Sequence, residues 1–148
     1  MSANTQAQVT TNRITEAVLC GVIAGLIGGA VFGVMMATMG MLTMVSMIVG
    51  VENPVVGFVL HMAISAFVGG VYGVIGLRLP AGWPVAIGAG VIYGIIWWVL
   101  GALILMPLLL GMSQMVLVIE ETQWMSLIGH IVFGIIMAAF YELIRARA

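Results

Sequence analysis

AVLCGVIAGLIGGAVFGVMMATM, residues 17–39, decides the fold. The stretch carries no charge. Wound as a helix at about 1.5 Å per residue it would be about 35 Å long, enough to cross a hydrocarbon core of roughly 30 Å. It is too long for the apolar region of a signal peptide, so it reads as an uncleaved first span. Small residues recur at every fourth position, at Ala17, Gly21, Gly25, Gly29, Gly33 and Ala37. Such a glycine zipper lets two helix backbones approach closely.

Working outward, three more apolar runs of spanning length follow, at about 54–77, 84–106 and 123–144. Asn53–Pro54 supplies an N-cap and a first-turn proline for the second run. Pro84 opens the third, Thr122 is placed to cap the fourth, and Pro107 is expected to stop the third. Residues 1–12 are polar and uncharged and read as a flexible N-terminal tail, leaving 13–148 as a single membrane domain. Two apolar pieces remain, GMLTMVSMIVGV (40–51) and LLLGMSQMVLVIE (108–120), each too short to cross. They are expected to lie as short outer interfacial or re-entrant helices.

Composition agrees. Of 148 residues, 64% are hydrophobic and only 6% charged, against about 25% charged in an ordinary soluble domain. That excludes a soluble globular or disordered chain. Four basic residues and a net charge of −1 also exclude a nucleic-acid-binding face. Cys20 is the sole cysteine, so no intrachain disulfide can form. Arg13, Arg78, Arg145 and Arg147 fall on one side of a four-span arrangement, while Glu52, Glu120 and Glu121 fall on the other. Positive residues stay in the cytoplasm, so both termini are expected there, in a prokaryotic cytoplasmic (inner) membrane.

The chain also resembles itself at an offset of 69 residues. Gly21 and Gly25 meet Gly90 and Gly94, Glu52 meets Glu121, His61 meets His130, Tyr72 meets Tyr141, and Arg78 meets Arg147. Apolar matches are cheap in this composition, but the coincidence of both histidines with a Glu, a Tyr and an Arg is not. The expectation is a tandem duplication, with repeat 1 at about 17–78 and repeat 2 at about 86–147. The copies would be related by a pseudo-two-fold axis along the membrane normal. The fold class is then all-α: an integral membrane four-helix bundle built from two tandem helix hairpins. Gly21, Gly25, Gly29, Gly33, Gly69 and Gly134 are the packing positions. Trp98 aligns with Gly29. Trp97 and Trp98 are expected near mid-membrane, filling space opposite the glycine-lined copy or walling a pocket.

Polar residues inside a span are functional candidates by default. His61 stands in a small-residue face with Gly57, Ser65, Gly69 and Gly73, and His130 in one with Ser126, Gly134, Ala138 and Glu142. A neutral imidazole bonded across a helix interface is one use. Others are a proton- or cation-responsive pair with Glu52 and Glu121 at the outer mouth, copper ligation with methionine, and bis-histidine haem. Six methionines cluster between Met35 and Met47, but repeat 2 replaces Met35, Met36 and Met39 with Ile104, Leu105 and Leu108, as packing permits and a duplicated metal site does not. No cofactor is expected, with haem and copper as the residual possibilities. Glu16 with Arg13, and Glu142 with Arg145, have the spacing of local ion pairs. No nucleophile–base arrangement, HExxH, P-loop or dinucleotide motif occurs, so an enzyme is not expected.

GMLTM (40–44), WWVLGALILMPLLLGM (97–112) and SLIGHIVFG (126–134) resemble a group of small, uncharacterised prokaryotic four-span inner-membrane proteins, the nearest named being the YagU-like proteins, linked to acid resistance. The resemblance implies a cytoplasmic-membrane location and transfers no functional residue. The expected function is transporter-like or channel-like handling of protons or small cations. The alternatives are a non-catalytic structural or assembly subunit of a membrane complex, and a haem- or copper-binding membrane protein. Four helices enclose little room for a pore, so conduction would call for a homo-oligomer or a larger complex in the lipid bilayer.

Overall fold

The computed structural model describes residues 3–147. Helix α1 covers Ala3–Thr38, α2 Leu42–Ser46, α3 Pro54–Gly76, α4 Trp83–Trp97, α5 Met106–Leu109 and α6 Glu121–Arg145. Four helical stretches are long and apolar enough to cross a membrane: Gln8–Thr38, Pro54–Gly76, Trp83–Leu109 and Glu121–Arg145. Among the described residues no strand forms.

Residues 3–12, expected as a loose tail, continue α1 instead; residues 1–2 lie outside the described part. Once a helix is nucleated each added residue gains one hydrogen bond, and the Thr10 and Thr15 hydroxyls donate back to the Gln6 and Thr11 carbonyls. Gly40, at φ +69°, ends α1 in the left-handed conformation that glycine adopts without strain. The first short piece then folds as α2 and a 3-10 turn at Met47–Val49. Buried Ser46 closes this hairpin: its hydroxyl donates to the Thr43 carbonyl at 2.7 Å and accepts from the Asn53 amide at 3.0 Å. Asn53 in turn caps α3, its Oδ1 accepting from the Val55 and Val56 amides.

The second piece departs from the first. Pro107 does not stop the third span. The backbone winds as a π-helix over Trp98–Leu105 and runs on to Leu109. Proline has no N–H, so Pro107 donates to no carbonyl of the preceding turn. The Leu103 carbonyl accepts from the amide of Leu117 at 3.0 Å, with Leu117 itself at φ 60°. The rest of 110–120 is turn and a 3-10 element, Ser113–Met115, rather than a second outer helix. Glu120, not Thr122, caps α6, in a reciprocal capping box with Gln123.

α1 packs antiparallel on α3, and α4 antiparallel on α6, by backbone contact at glycine. A Cβ at Gly21 would strike the Gly69 carbonyl oxygen, and one at Gly69 would strike the Gly21 oxygen. The hydrogens in those positions therefore point at carbonyls, as in Cα–H···O contacts. In the second hairpin the reciprocal pair is Gly90 with Gly134. The 69-residue offset would instead pair Gly90 with Ala138. The Ala138 methyl occupies that place, 2.9 Å from a Cβ on Gly90, and the contact sits one helical turn away.

α1 is central, because its other face meets α6. Gly28 admits the Phe133 backbone, Gly129 admits the Phe32 ring, and Ala24 is fully buried. The opposite seam, α3 against α4, is bridged by large side chains: Phe67 with Trp97, and Tyr72 with Tyr93. At the 69-residue offset Trp97 would correspond to Gly28. A strict two-fold would make these two seams alike, and this glycine-for-tryptophan difference separates them.

Replacing Gly69 or Gly134 with alanine should destabilise the bundle by about 1–3 kcal/mol, the cost of forcing a methyl into a filled site. Gly88, with nothing within 4 Å of its would-be Cβ, should accept alanine at no loss. Denaturation in detergent, followed by helical circular dichroism, ranks the three variants.

Candidate functional site

The two histidines meet through a third residue. Phe32, on α1 and buried, contacts His61 of α3 with ring centroids 5.3 Å apart, and His130 of α6 at 4.9 Å, both edge-on. Gly33 leaves room for His61, and Gly129 leaves room for Phe32. The small-residue faces thus carry both imidazoles to one phenyl ring.

Each imidazole commits one nitrogen to a carbonyl. His61 Nε2 donates to the Gly29 oxygen at 2.9 Å, tying α3 to α1. His130 Nδ1 donates to the Ser126 oxygen at 2.8 Å within its own helix, with the Ser126 hydroxyl at 3.4 Å. A carbonyl can only accept, so these nitrogens carry the hydrogens. In the neutral ring the other nitrogen, His61 Nδ1 or His130 Nε2, then keeps a lone pair. Ser65 completes the layer, its hydroxyl donating to the His61 carbonyl at 2.8 Å and filling the space beside Gly29.

Glu52 and Glu121 are exposed at the glutamate end, Glu52 just before α3 and Glu121 in the first turn of α6. Among the described residues no three of His, Cys, Asp and Glu stand close enough to hold a metal ion, so the two glutamates and two histidines do not form one cluster. The methionines do not share one environment either: Met36 is buried, whereas Met44 and Met47 are exposed. Trp97 and Trp98 do not form one wall. Trp97 turns to Phe67 and Tyr93, while Trp98 stacks on Trp124 at 6.2 Å and donates its indole N–H to the Gln123 carbonyl at 3.0 Å. Trp98 therefore belongs to the layer where α6 begins rather than to mid-membrane.

A second polar assembly occupies the arginine end. Arg145 donates to the carbonyls of Gly76, Leu79 and Pro80 and pairs with buried Glu142. Glu142 also accepts from the Gly82 amide at 2.8 Å. The pair expected to be local thus clamps the whole α3–α4 connection to the end of α6. Beside it Tyr141 and Tyr93 donate to the Gly73 and Val68 carbonyls at 3.0 and 2.8 Å, and Tyr72 sits edge-on to both rings. Glu142 on the Gly134–Ala138 stripe is the sequence signal for this clamp: a carboxylate on a packing face must find partners. Phe32 and Tyr93 gave no comparable signal, and the spacing of Arg145 from Glu142 showed their ion pair but not its reach to the α3–α4 connection. Arg13 and Glu16 are not paired with each other.

Fold and site together define a multi-pass helical membrane protein with a histidine–phenylalanine–histidine layer toward one end and an arginine clamp at the other. No protein-family model, no curated protein and no solved structure matches the chain.

Truncating Phe32 to alanine should cost about 3–5 kcal/mol and disturb the NMR signals of both imidazoles together. A change in only one imidazole would mean the ring is not shared. Glu142→Ala should speed amide hydrogen exchange at Gly82 and through residues 79–82, with little change in the α2 region.

Proposed function

We propose that the chain is a protein of a prokaryotic cytoplasmic membrane, with both termini cytoplasmic, that handles protons or small cations in a transporter-like or channel-like manner. The observation that carries this is the convergence of His61 and His130 on Phe32, each ring keeping one nitrogen unbonded. A proton taken up there creates a cation in apolar surroundings, and a buried charge without a partner is costly. Protonation therefore favours any arrangement that lets water or a carboxylate reach the ring.

His61 is also the bond that ties α3 to α1 at this level. Occupancy by a proton and closure of the α1–α3 contact are then linked: whichever conformation binds the proton better gains population. Exposed Glu52 and Glu121 would raise the local concentration of cations at the entrance. The four arginines, gathered at the opposite end, support the orientation. The resemblance to YagU-like proteins, with their link to acid resistance, points the same way.

One observation favours a second reading, a non-catalytic subunit of a larger assembly or homo-oligomer. The third span, Trp83–Leu109, has only 22% of its most apolar window buried within the chain, against 39% for the first and fourth. Gly88 and Gly101 on it also have open space beside them. Such a helix can accept another close helix.

Proteoliposomes loaded with a pH-sensitive dye separate the two. An imposed acid gradient should drive proton or cation entry in the wild type, falling at least about tenfold, ~1.4 kcal/mol in barrier terms, when both His61 and His130 become glutamine. Flux unchanged in the double variant, or absent in the wild type, overturns the transport assignment. Co-purification of a fixed partner in mild detergent, with no flux, establishes the second.

A further inference from the structure

The arginine end contains a cleft of about 270 Å³ that neither the histidine layer nor the clamp explains. Its walls are α1 at Arg13, Glu16, Ala17 and Cys20, the end of α3 at Gly76 and Leu77, and α6 at Tyr141 and Arg145. We propose that this cleft binds the headgroup of a membrane phospholipid that carries both charges, of the phosphoethanolamine kind.

Position comes first. Arg13 precedes the end of α1 at Thr38 by 25 residues, about 38 Å of helix, against a hydrocarbon core of about 30 Å. With the far end of α1 at one interface, Arg13 and Glu16 reach the headgroup layer of the other. Ala17 and Cys20 lie successively deeper along the same helix. The cleft therefore has a charged mouth and an apolar floor, the order of polarity of a phospholipid from headgroup to acyl chain.

Charge accounting then selects the headgroup. The Arg145 guanidinium is already committed to three carbonyls and to Glu142, and the Tyr141 hydroxyl to Gly73. Arg13 and Glu16 remain, one cation and one anion, both exposed at the mouth and not paired with each other. At i, i+3 on a helix their side chains start about 5–6 Å apart. A phosphate opposite Arg13 and a primary ammonium opposite Glu16, joined by two carbons, match that pair in sign and reach. Arg13 can grip phosphate oxygens with two parallel N–H bonds. Glu16 accepts from N–H or O–H but pairs in charge only with a cation: an ethanolamine ammonium offers both a donor and a charge, a choline has the charge but no hydrogen to donate, and a glycerol hydroxyl donates without charge. A glycerol headgroup brings the phosphate but no cation for Glu16.

Delipidated protein in detergent, offered equal amounts of short-chain phosphatidylethanolamine, phosphatidylcholine and phosphatidylglycerol, tests this by native mass spectrometry. The ethanolamine lipid should be retained about threefold to fivefold over the other two, the worth of one exposed ion pair. Glu16→Gln should abolish the preference over choline. Arg13→Ala should weaken all three lipids, and Arg147→Ala should leave the pattern unchanged. Equal retention of the three lipids, or a preference that survives Glu16→Gln in a variant with wild-type helicity, overturns the proposal. So does displacement of the lipid by an equal concentration of free phosphoethanolamine or inorganic phosphate, which would assign the cleft to a soluble ligand.

Discussion

The contact on which the rest depends is that of two backbones with nothing between them, Gly21 against Gly69. In a bilayer, helices gain nothing by hiding apolar surface from one another, since lipid is equally apolar. They associate where close approach multiplies dispersion contacts and lets Cα hydrogens reach carbonyls. Gly21, Gly25 and Gly69 allow that for α1 and α3. At this separation His61 can bond Gly29, and Ser65 can fill the space beside it. The free side of α1 is then presented to α6, where Gly28 and Gly129 repeat the device at the level of Phe133 and Phe32. Closeness of one pair of helices thus sets the depth and direction of the site residues on a third.

A common solution disposes of the polar side chains. His61, Tyr93, Tyr141, Trp98 and Arg145 all donate to backbone carbonyls of another segment. A helical carbonyl already accepts one bond from its own helix but has a second lone pair. It is the one acceptor present at every level of a membrane helix, so a donor can be satisfied without a second polar side chain. The result is a bundle stitched at several depths. In the described residues every side-chain nitrogen or oxygen fully shut off from the surface has a partner, so the unbonded nitrogens of His61 and His130 are not fully enclosed.

Much of this was legible in the residues. The four long apolar helices follow from length and composition, and Asn53–Pro54 marked the start of α3. Gly21, Gly25, Gly69 and Gly134 stand at every-fourth positions of their helices, and each would bring a Cβ against backbone of a neighbouring helix. What failed to show were effects that depend on a partner distant in sequence. The helix passes Pro107, and the Leu103 carbonyl on it accepts from the amide of Leu117, ten residues beyond that proline. The α1–α6 seam closes on Gly28 and Gly129 whereas the α3–α4 seam is bridged by Phe67 and Trp97, and Gly90 meets the Gly134 oxygen beside the Ala138 methyl. Phe32 looked like any apolar residue of its span; only the packed structure shows two imidazoles converging on it.

The clamp at the arginine end carries a consequence for biogenesis. The connection it holds, Leu79 to Gly82, leaves the ribosome more than sixty residues before Arg145. At about 5–20 residues per second, that is an interval of roughly 3–13 seconds. During that time the first hairpin can already be inserted and zipped, while its exit loop has no fastening. The final turn of the last helix then works as a latch, so that insertion of the fourth span and immobilisation of a loop in the middle of the chain become one event.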